Sequence, residues 1–491
     1  MKKKSLLWLV IAISASAVTW FAFPANAPRA AASVAAMIVL MAVLWVSEAL
    51  PLAVTSLLPL VILPLSGVGT LGQISGYYAK PIIFLFLGGF LLAIGLQKSG
   101  LHRRMALYLL MKIGDKPARL VLGFMVATAL LSMWISNTAT VMVMMPVGLS
   151  VLETAKAKGA QGKELSHLGL GIMLGIAYAA DIGGMSTPIG TPPNLVFLEM
   201  YSELFPGFPS IGFLTWMLMV MPVTIPFLLV GWWLLTRVIF PLSGSPLLGG
   251  KSVIRTAYAA LGRMRTAEKR AGLIFLFAVL LWLTGSDIRL GESFVLHGWR
   301  SALGIPQFKD ASVAVLAAVL MFITPSGNGD ATPLLEWADS KEVPWGILLL
   351  FGGGLSLAGG FQISGLGEMI GALFQGLQVG NEGVVIAGVS FVLTFMTEIT
   401  SNTAITNLIL PVLAEISGAI HMDPRLLMIP ATLSASCAFM MPVASPTQAI
   451  VFGSGYVNMR SMIKAGIWFN LLGILIVTLV FLSWGRWVLG I

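Results

Sequence analysis

Long apolar runs recur along the whole chain and constrain its fold more than any other feature. A helix that crosses a bilayer needs about 20 mostly apolar residues. Uninterrupted runs of this kind lie at about 6–23, 32–50, 51–69, 80–97, 213–240, 271–286, 310–326, 345–362 and 462–488. Two further runs, 168–201 and 427–456, are long but interrupted by Gly and Pro. The chain is therefore predicted to be an all-α polytopic membrane protein with about eleven transmembrane helices.

Charged side chains are too scarce for a soluble protein. Asp, Glu, Lys and Arg make up 10% of the residues, whereas 57% are hydrophobic. A soluble domain carries about 25% charged residues, so this chain cannot cover a water-exposed surface. An ordinary soluble enzyme, a disordered chain and a protein that binds nucleic acid are excluded. The single cysteine, Cys437, excludes an internal disulfide and a cysteine metal cluster.

Basic residues predict the orientation in the membrane, because Lys and Arg favour cytoplasmic loops. The Lys2–Lys4 cluster places the N-terminus in the cytoplasm. Basic residues cluster again in 98–119 and 251–270, which we interpret as solvated cytoplasmic faces, whereas 363–384 has no Lys or Arg. The C-terminus is then periplasmic, in a bacterial-type inner membrane. The start of the chain also resembles a signal peptide, but its apolar run of about 18 residues is long enough to span the bilayer.

The two halves of the chain share a pattern at a constant spacing. Gly88-Gly89 recurs as Gly353-Gly354, 265 residues later (353 against 88), and Ser136-Asn137-Thr138-Ala139 recurs at the same spacing as Ser401-Asn402-Thr403-Ala404. The matched segments begin at the fourth and ninth predicted crossings, an odd number apart, so the halves are predicted to be inverted. Inverted repeats with discontinuous helices are typical of secondary transporters, whose site lies near the bilayer midplane.

Each half also carries two polar breaks within apolar sequence. The first break is the tip of a predicted re-entrant hairpin, at 119–154 and at 385–418. The second interrupts a span, at 183–194 and at 442–448, where Gly and Pro disrupt the helix. Unpaired backbone at membrane depth is tolerated only where it is buried in protein or lines a cavity. The breaks therefore predict a cavity.

The residue types in the breaks indicate the ligand. Hydroxyl, amide and freed backbone oxygens suit a small hard cation such as Na+, while helix N-termini and Asn and Thr donors suit a carboxylate or sulfate. The breaks contain no Arg or Lys, so bound cations are expected to supply the positive charge. A single Ser-Asn-Thr is more often a helix cap. Two equivalent copies, each paired with a Gly/Pro break, favour a binding site.

Three carboxylates lie close to or within apolar segments: Asp181, Glu398 and Glu48. Carboxylates inside a membrane are functional candidates by default. For Glu398, structural pairing of the hairpin and proton coupling are both open, and Asp181 and Glu48 also fit a helix end or interface. The four histidines are scattered and no H-E-x-x-H spacing occurs, which argues against an intramembrane metalloenzyme.

At these residues the sequence resembles the divalent anion:sodium symporter (DASS) family, the sodium-coupled dicarboxylate and citrate carriers. The resemblance covers nearly the whole chain. Besides the paired tips, it rests on Gly190-Thr191-Pro192-Pro193-Asn194 and on Ser436-Cys437-Ala438-Phe439-Met440-Met441-Pro442-Val443-Ala444. It implies a homodimer, each protomer with about eleven spans and two hairpins in two inverted repeats. It also implies a scaffold domain and a transport domain that slides across the membrane as an elevator.

The resemblance further implies the residues of the sites. The first Na+ site would use Ser132, Ser136, Asn137 and the Gly190 backbone, and the second Thr397, Ser401, Asn402 and the Ala444 backbone. Substrate carboxylates would meet Asn137, Thr138, Asn402 and Thr403, with Thr191, Ser445 and Pro446 nearby. The second half departs from the family's Thr-Pro-Pro-Asn, because it reads Ser445-Pro446-Thr447-Gln448.

The sequence thus predicts a Na+-coupled symporter of C4-dicarboxylates (succinate, malate, fumarate), with Na+ as coupling ion, no organic cofactor and no enzymatic activity. The alternatives are a citrate, sulfate or 2-oxoglutarate carrier of the same fold, an anion exchanger without sodium, and a sensor that binds anions without moving them. The predicted organisation is an N-terminal transmembrane helix (1–31), a first repeat (32–240), a basic cytoplasmic loop (241–270) and a second repeat (271–491).

Overall fold

The computed structural model describes residues 3–112, 116–242, 250–290, 294–327, 332–374 and 380–491. Helices make up most of the described first half. They are α1 Lys3–Ala22, α2 Arg29–Ser47, α3 Leu52–Thr55, α4 Pro59–Leu65, α5 Leu71–Gly76, α6 Pro81–Ser99, α7 Leu101–Lys112, α8 Pro117–Ser132, α9 Asn137–Ala157, α10 Gly162–Met185, α11 Pro192–Leu204, α12 Phe213–Trp233 and α13 Gly250–Ala259. A 3-10 turn, Tyr77–Ala79, precedes α6, and a π-helical turn, Leu234–Ile239, extends α12.

The second half is also mostly helical. Its helices are α14 Thr266–Leu283, α15 Trp299–Ala302, α16 Asp310–Ile323, α17 Trp345–Ser364, α18 Leu366–Phe374, α19 Glu382–Met396, α20 Asn402–Ala419, α21 Pro424–Ala435, α22 Pro446–Phe452, α23 Met459–Val480 and α24 Arg486–Leu489. A 3-10 segment, Trp337–Glu342, precedes α17, and a π-helical turn, Phe481–Gly485, follows α23. The all-α prediction misses one short antiparallel pair, β1 Ile288–Leu290 with β2 Phe294–Leu296.

Eight helical segments of the described chain are long and apolar enough to cross a membrane, so this is a multi-pass membrane protein. They are Lys4–Ala22, Arg29–Ser47, Leu71–Ser99, Asn137–Ala157, Gly162–Met185, Phe213–Ile239, Trp345–Ser364 and Met459–Leu489. One predicted span, 51–69, is divided into α3 and α4, because a turn interrupts the helix ahead of Pro59. Helix α9, which the sequence assigns to a hairpin, is itself among the eight.

The repeat seen in the sequence recurs in the helices. Helices α8 and α19 begin at Pro117 and Glu382, and α9 and α20 begin at Asn137 and Asn402, so each pair is 265 residues apart (382 against 117, 402 against 137). Helix α10 packs along α8, and α21 packs along α19. The two halves therefore share an arrangement of a broken hairpin against a central helix.

Helices α10 and α21 lie in the core. Every residue from Leu168 to Met185 of α10 is buried, and so is all of α21. The outermost helix of the described chain is different: most of α1 is exposed, with Leu6, Leu7 and Val18 more than half exposed. Polar groups on α10 and α21 are thus shielded by protein on all sides except where a cavity reaches them.

One residue of the basic segment 98–119 is not a solvated face. Arg104 of α7 is buried, and its guanidinium donates to the Glu268 carboxylate at 3.0 and 3.1 Å. It also donates to the carbonyls of Leu261 and Gly262. The interpretation of this arginine as solvated was wrong, because it joins α7 to the turn between α13 and α14.

Candidate functional site

The four polar breaks surround one cavity of about 1020 Å³. Its lining includes the tip residues 136–139 and 399–403 and the break residues 189–193 and 442–447. Helices α9, α11, α20 and α22 all begin at this lining. Because the first N–H groups of a helix lack partners within it, the starts of α9 and α20 offer donors and positive dipole ends to an anion in the cavity. Helices α11 and α22 begin with Pro192-Pro193 and Pro446, which have no N–H, so they contribute mainly their dipole ends.

The structure brings together nearly all of the residues predicted as ligands. Those that line the cavity are Ser136, Asn137, Thr138, Gly190, Thr191, Ser401, Asn402, Thr403, Ala444, Ser445 and Pro446. Ser132 and Thr397 are fully buried and contact Asn137 and Asn402. The predicted set is therefore contiguous in space, although its members come from four separate segments.

Ser136 and Ser401 give each tip its shape. Each is the N-cap residue of the helix that follows, and its hydroxyl accepts a backbone N–H: that of Ala139 at 3.4 Å and that of Ala404 at 3.5 Å. Capping of this kind favours Ser because its short side chain reaches the N3 position. Both copies of Ser-Asn-Thr therefore cap a helix, and both copies also line the cavity.

Three oxygens converge beside the first tip. Ser132 Oγ lies 2.6 Å from Asn137 Oδ1 and 2.7 Å from the Ala180 carbonyl oxygen. A hydroxyl has one proton, so it cannot donate fully to both acceptors at once. A hydroxyl, an amide and a backbone carbonyl oxygen are the hard ligand types that suit a monovalent cation, although the two distances themselves are those of hydrogen bonds.

The same arrangement occurs beside the second tip. Thr397 Oγ1 lies 2.5 Å from Asn402 Oδ1 and 2.9 Å from the Ala435 carbonyl oxygen. Sequence reasoning missed the carbonyls of Ala180 and Ala435, because an alanine carries no side-chain signal for such a role. The only indication of this role is the position of the two alanines near the end of the helix that precedes each break.

Gly184 is required for the first cluster. A Cβ atom at this position would lie 2.5 Å from Asn137 Oδ1. Only glycine allows α10 to approach the tip this closely. The glycines of the first break therefore allow close contact with the tip, and they also interrupt the helix.

Asn194 holds the first break in its unwound form. The two protons of its side-chain NH2 group are shared among the carbonyls of Gly184, Met185 and Thr187, at 2.8 to 3.2 Å. The indole of Trp216 donates to the Met185 carbonyl as well. Carbonyls freed from a helix in a buried site need such partners, so the break is a stable element rather than a frayed helix end.

Glu398 holds the second break. Its carboxylate accepts the backbone N–H groups of Phe439, Met440 and Met441 at 2.8 to 3.1 Å. The Asn470 side chain donates to it at 2.7 Å. Of the two roles left open by the sequence, this geometry supports structural pairing of the hairpin with the break.

Asp181 lies within α10 and lines the cavity. It accepts hydrogen bonds from Asn137 Nδ2 at 3.0 Å, from Thr447 Oγ1 at 2.9 Å and from Gln448 Nε2 at 3.2 Å. It therefore joins the first tip to the second break, which a helix-end role would not do. Glu48 does end a helix: it is the left-handed C-cap of α2, with φ 48°.

The charges of the cavity wall are all negative among the described residues that line it. Glu48, Asp181 and Glu342 supply carboxylates, and no Lys or Arg occurs in this lining. An anion that enters would meet helix N-termini and neutral donors beside these carboxylates. Binding an anion here requires cations in the same site, since like charges at short range repel strongly in a low-dielectric environment.

Comparison with known proteins gives the family. The sodium:sulfate symporter transmembrane region matches residues 3–491. The chain belongs to this family.

Curated relatives match over most of their length. The chain is 39% identical over 440 residues to the sodium-dependent dicarboxylate transporter SdcS of Staphylococcus saprophyticus, covering 89% of this chain and 82% of the relative. It is 39% identical over 464 residues to SdcS of Staphylococcus aureus (strain USA300), covering 94% and 87%.

Two solved transporters share the fold. MtrF of Neisseria gonorrhoeae, described among antimetabolite efflux pumps, matches with a TM-score of 0.60 at 14% identity, over 98% of this chain and 94% of its own. The YdaH transporter of Alcanivorax borkumensis matches with a TM-score of 0.57 at 13% identity, over 99% and 98%. At such low identity these likenesses concern the fold alone.

Proposed function

We propose that this protein is a secondary active transporter that moves C4-dicarboxylates such as succinate, malate and fumarate together with Na+. The observation that carries the proposal is the convergence of two equivalent oxygen clusters on one cavity whose described lining has no Lys or Arg. The names of the staphylococcal relatives, sodium-dependent dicarboxylate transporters, agree with it.

Each oxygen cluster is the centre of one proposed Na+ site. The first site consists of Ser132, Ser136, Asn137 and the Gly190 backbone. The second consists of Thr397, Ser401, Asn402 and the Ala444 backbone. The Ala180 and Ala435 carbonyls, which lie against the two hydroxyls, join these sets. All of these donors are hard oxygen ligands, which alkali cations prefer.

The substrate is proposed to lie between the two tips. Asn137 with Thr138 and Asn402 with Thr403 offer two equivalent sets of donors, one for each carboxylate of a dicarboxylate. Thr191, Ser445 and Pro446 line the same cavity. The starts of α9 and α20 add their dipoles, and the two bound Na+ ions offset the negative charge of the substrate.

Transport is proposed to follow alternating access of the elevator type, without covalent chemistry. The proposed topology has about eleven spans and two re-entrant hairpins in two inverted repeats. The N-terminal helix is 1–31, the repeats are 32–240 and 271–491, and 241–270 is a cytoplasmic loop. The protein is proposed to be a homodimer in an inner membrane, with a cytoplasmic N-terminus and a periplasmic C-terminus.

The test is uptake by the purified protein in proteoliposomes, with a panel of small di- and tricarboxylates and sulfate, with and without an inward Na+ gradient. Succinate uptake is expected to require the gradient. Asn137→Ala and Asn402→Ala are each expected to abolish it, and Asn26→Ala, at an exposed position, serves as the control. Unchanged uptake in both cavity variants contradicts the site. Uptake that requires a preloaded anion, and no Na+ gradient, identifies an exchanger instead.

A further inference from the structure

We propose that Asp181 is a positioning residue for the first Na+ site, and that Thr447 and Gln448 of the second half hold it in place. This inference rests on the proposed Na+-coupled transport and assigns a determinant of its Na+ affinity. It concerns the positions at which the second half departs from the first: Thr191-Pro192-Pro193-Asn194 corresponds to Ser445-Pro446-Thr447-Gln448.

Asp181 determines which end of the Asn137 amide faces the cation site. Asn137 Nδ2 donates to Asp181 Oδ1 at 3.0 Å, while Asn137 Oδ1 lies 2.6 Å from Ser132 Oγ. A carboxylate only accepts hydrogen bonds, and the amide has one accepting and one donating end. With the amide rotated, its NH2 group would occupy the cation site and its oxygen would face the carboxylate. Asp181 therefore selects the orientation that presents oxygen to Na+.

Three of these four positions differ between the halves; Ser445 keeps the hydroxyl of Thr191, and the other two, Thr447 and Gln448, both bind Asp181. Thr447 Oγ1 and Gln448 Nε2 lie 2.9 and 3.2 Å from Asp181 Oδ2. In the first half, Pro193 has no side-chain donor, and Asn194 donates to carbonyls of its own break. The departure from the repeat thus supplies two donors to one carboxylate across the interface between the halves.

The carboxyl group of Asp181 is buried and has no cationic partner among the described side chains. The residue is 4% exposed, and its hydrogen-bond partners are the neutral groups of Asn137, Ser445, Thr447 and Gln448. Neutral donors only partly offset the cost of burying a carboxylate. A Na+ ion beside Asn137 would offset the rest, so the carboxylate should increase the affinity of the first site.

The two cation sites differ in this respect. The carbonyls of Ala180 and Ala435 occupy equivalent places. The residue after Ala180 is Asp181, whereas the residue after Ala435 is Ser436, which has no charge. The carboxylate nearest the second site, Glu398, follows Thr397 and is already engaged by the backbone N–H groups of the second break, so a carboxylate that orients the ligand amide is a feature of the first site.

The primary variant is Asp181→Asn, which keeps the size of the side chain and removes its charge. We expect the Na+ concentration for half-maximal succinate uptake to rise about tenfold, as for other groups that orient a metal ligand. The KM for succinate at saturating Na+ should stay the same or fall, because a negative charge leaves the cavity wall. A general structural defect would raise both the half-maximal Na+ concentration and the KM for succinate. Glu153→Gln, on the exposed side of α9, is the control.

A second measurement does not depend on transport. Na+ should raise the melting temperature of the detergent-purified wild type, and the concentration that gives half of this shift should increase about tenfold in Asp181→Asn. If that variant does not fold, Gln448→Met removes one donor at similar volume and should give a smaller rise. A folded variant of either kind with unchanged Na+ dependence overturns the proposal.

The link between Asp181 and the second half is tested by a double-mutant cycle. Thr447→Pro with Gln448→Asn restores the residues of the first half and removes two donors from Asp181. In the wild-type background this pair should raise the half-saturating Na+ concentration, and in the Asp181→Asn background it should add little. Additive effects overturn the proposed link. Wild-type uptake that is independent of Na+ defeats the proposed function itself, whereas Na+-dependent uptake with an unaffected Asp181→Asn defeats only this inference.

Discussion

The Glu398 carboxylate accepts the backbone N–H of Phe439 at 2.8 Å, across 41 residues of sequence. This bond ties the second tip to the second break. In the first half the position equivalent to Glu398 is Met133 (398 against 133, 265 apart). There the break again donates, but backbone and side chain exchange roles, because the Thr187 hydroxyl of the break donates to the Met133 backbone carbonyl. The two halves thus join tip to break by different chemistry.

Glu398→Gln is expected to destabilise the protein. The glutamine side chain has one accepting oxygen, whereas the Glu398 carboxylate has two. Its NH2 group would face a backbone N–H that donates to the carboxylate in the wild type, so at least one charge-assisted hydrogen bond is lost. The expected loss is about 2–3 kcal/mol, seen as a lower melting temperature in detergent, with reduced transport at every pH. A variant of normal stability whose transport has lost only its pH dependence would instead support a proton-coupling role. Glu153→Gln provides the comparison.

Gly184→Ala is expected to impair Na+-dependent uptake. The added Cβ would lie 2.5 Å from Asn137 Oδ1, so it must displace the amide that presents oxygen to the first site. Gly89→Ala is the matched control in another buried helix, because its Cβ would meet Ile189 at an ordinary 3.7 Å. The measurement is the half-saturating Na+ concentration in proteoliposomes. Equal behaviour of the two variants would show that the close approach is unimportant.

Much of the repeat could be predicted from the sequence, because polar residues are rare in apolar segments and their spacing is easily read. The paired Ser-Asn-Thr motifs predicted where α9 and α20 begin, and the first Gly/Pro cluster predicted where α10 ends. The second break, predicted at 442–448, begins earlier, because α21 already ends at Ala435. Their convergence on one cavity followed from the argument that freed backbone needs a polar environment.

Other features depend on contacts between distant residues and could not be read in this way. The role of Asp181 depends on Thr447 and Gln448, more than 260 residues away. The burial of Arg104 depends on Glu268, since a lone arginine in a basic segment gives no sign of an acidic partner. The division of 51–69 into α3 and α4 was missed because hydropathy alone does not register a local turn.

The Arg104–Glu268 pair is expected to make stability depend on pH. Burial raises the pKa of Glu268, but hydrogen bonds from the Arg104 side chain and the Arg265 backbone lower it more, so the net pKa lies below the ordinary value of 4.5. A lowered pKa stabilises the folded state above 4.5, and this contribution is lost as the pH falls through the lowered pKa.

Glu268→Gln should therefore flatten the fall of the melting temperature below pH 4.5. Arg104→Met leaves the buried carboxylate without its partner and is expected to cost about 3–5 kcal/mol at neutral pH. Melting temperatures of the three proteins between pH 3 and 8 test both statements. The same acid dependence in wild type and Glu268→Gln would show that other carboxyl groups control it.

The equivalence of Ser132 and Thr397 makes a reciprocal exchange informative. Both hydroxyls contact an Asn amide oxygen and an Ala carbonyl in the same arrangement. Ser132→Ala and Thr397→Ala each remove one of the converging oxygens and are expected to raise the half-saturating Na+ concentration about tenfold, as for loss of one buried polar contact. Ser132→Thr and Thr397→Ser both retain the hydroxyl oxygen. The first adds a methyl group that the second half accommodates at Thr397, and the second removes a methyl group that the first half lacks at Ser132. Both exchanges should thus keep near-normal Na+ dependence, whereas exchanges as damaging as the alanine variants would mean that side-chain shape, and not the hydroxyl oxygen, governs the two sites.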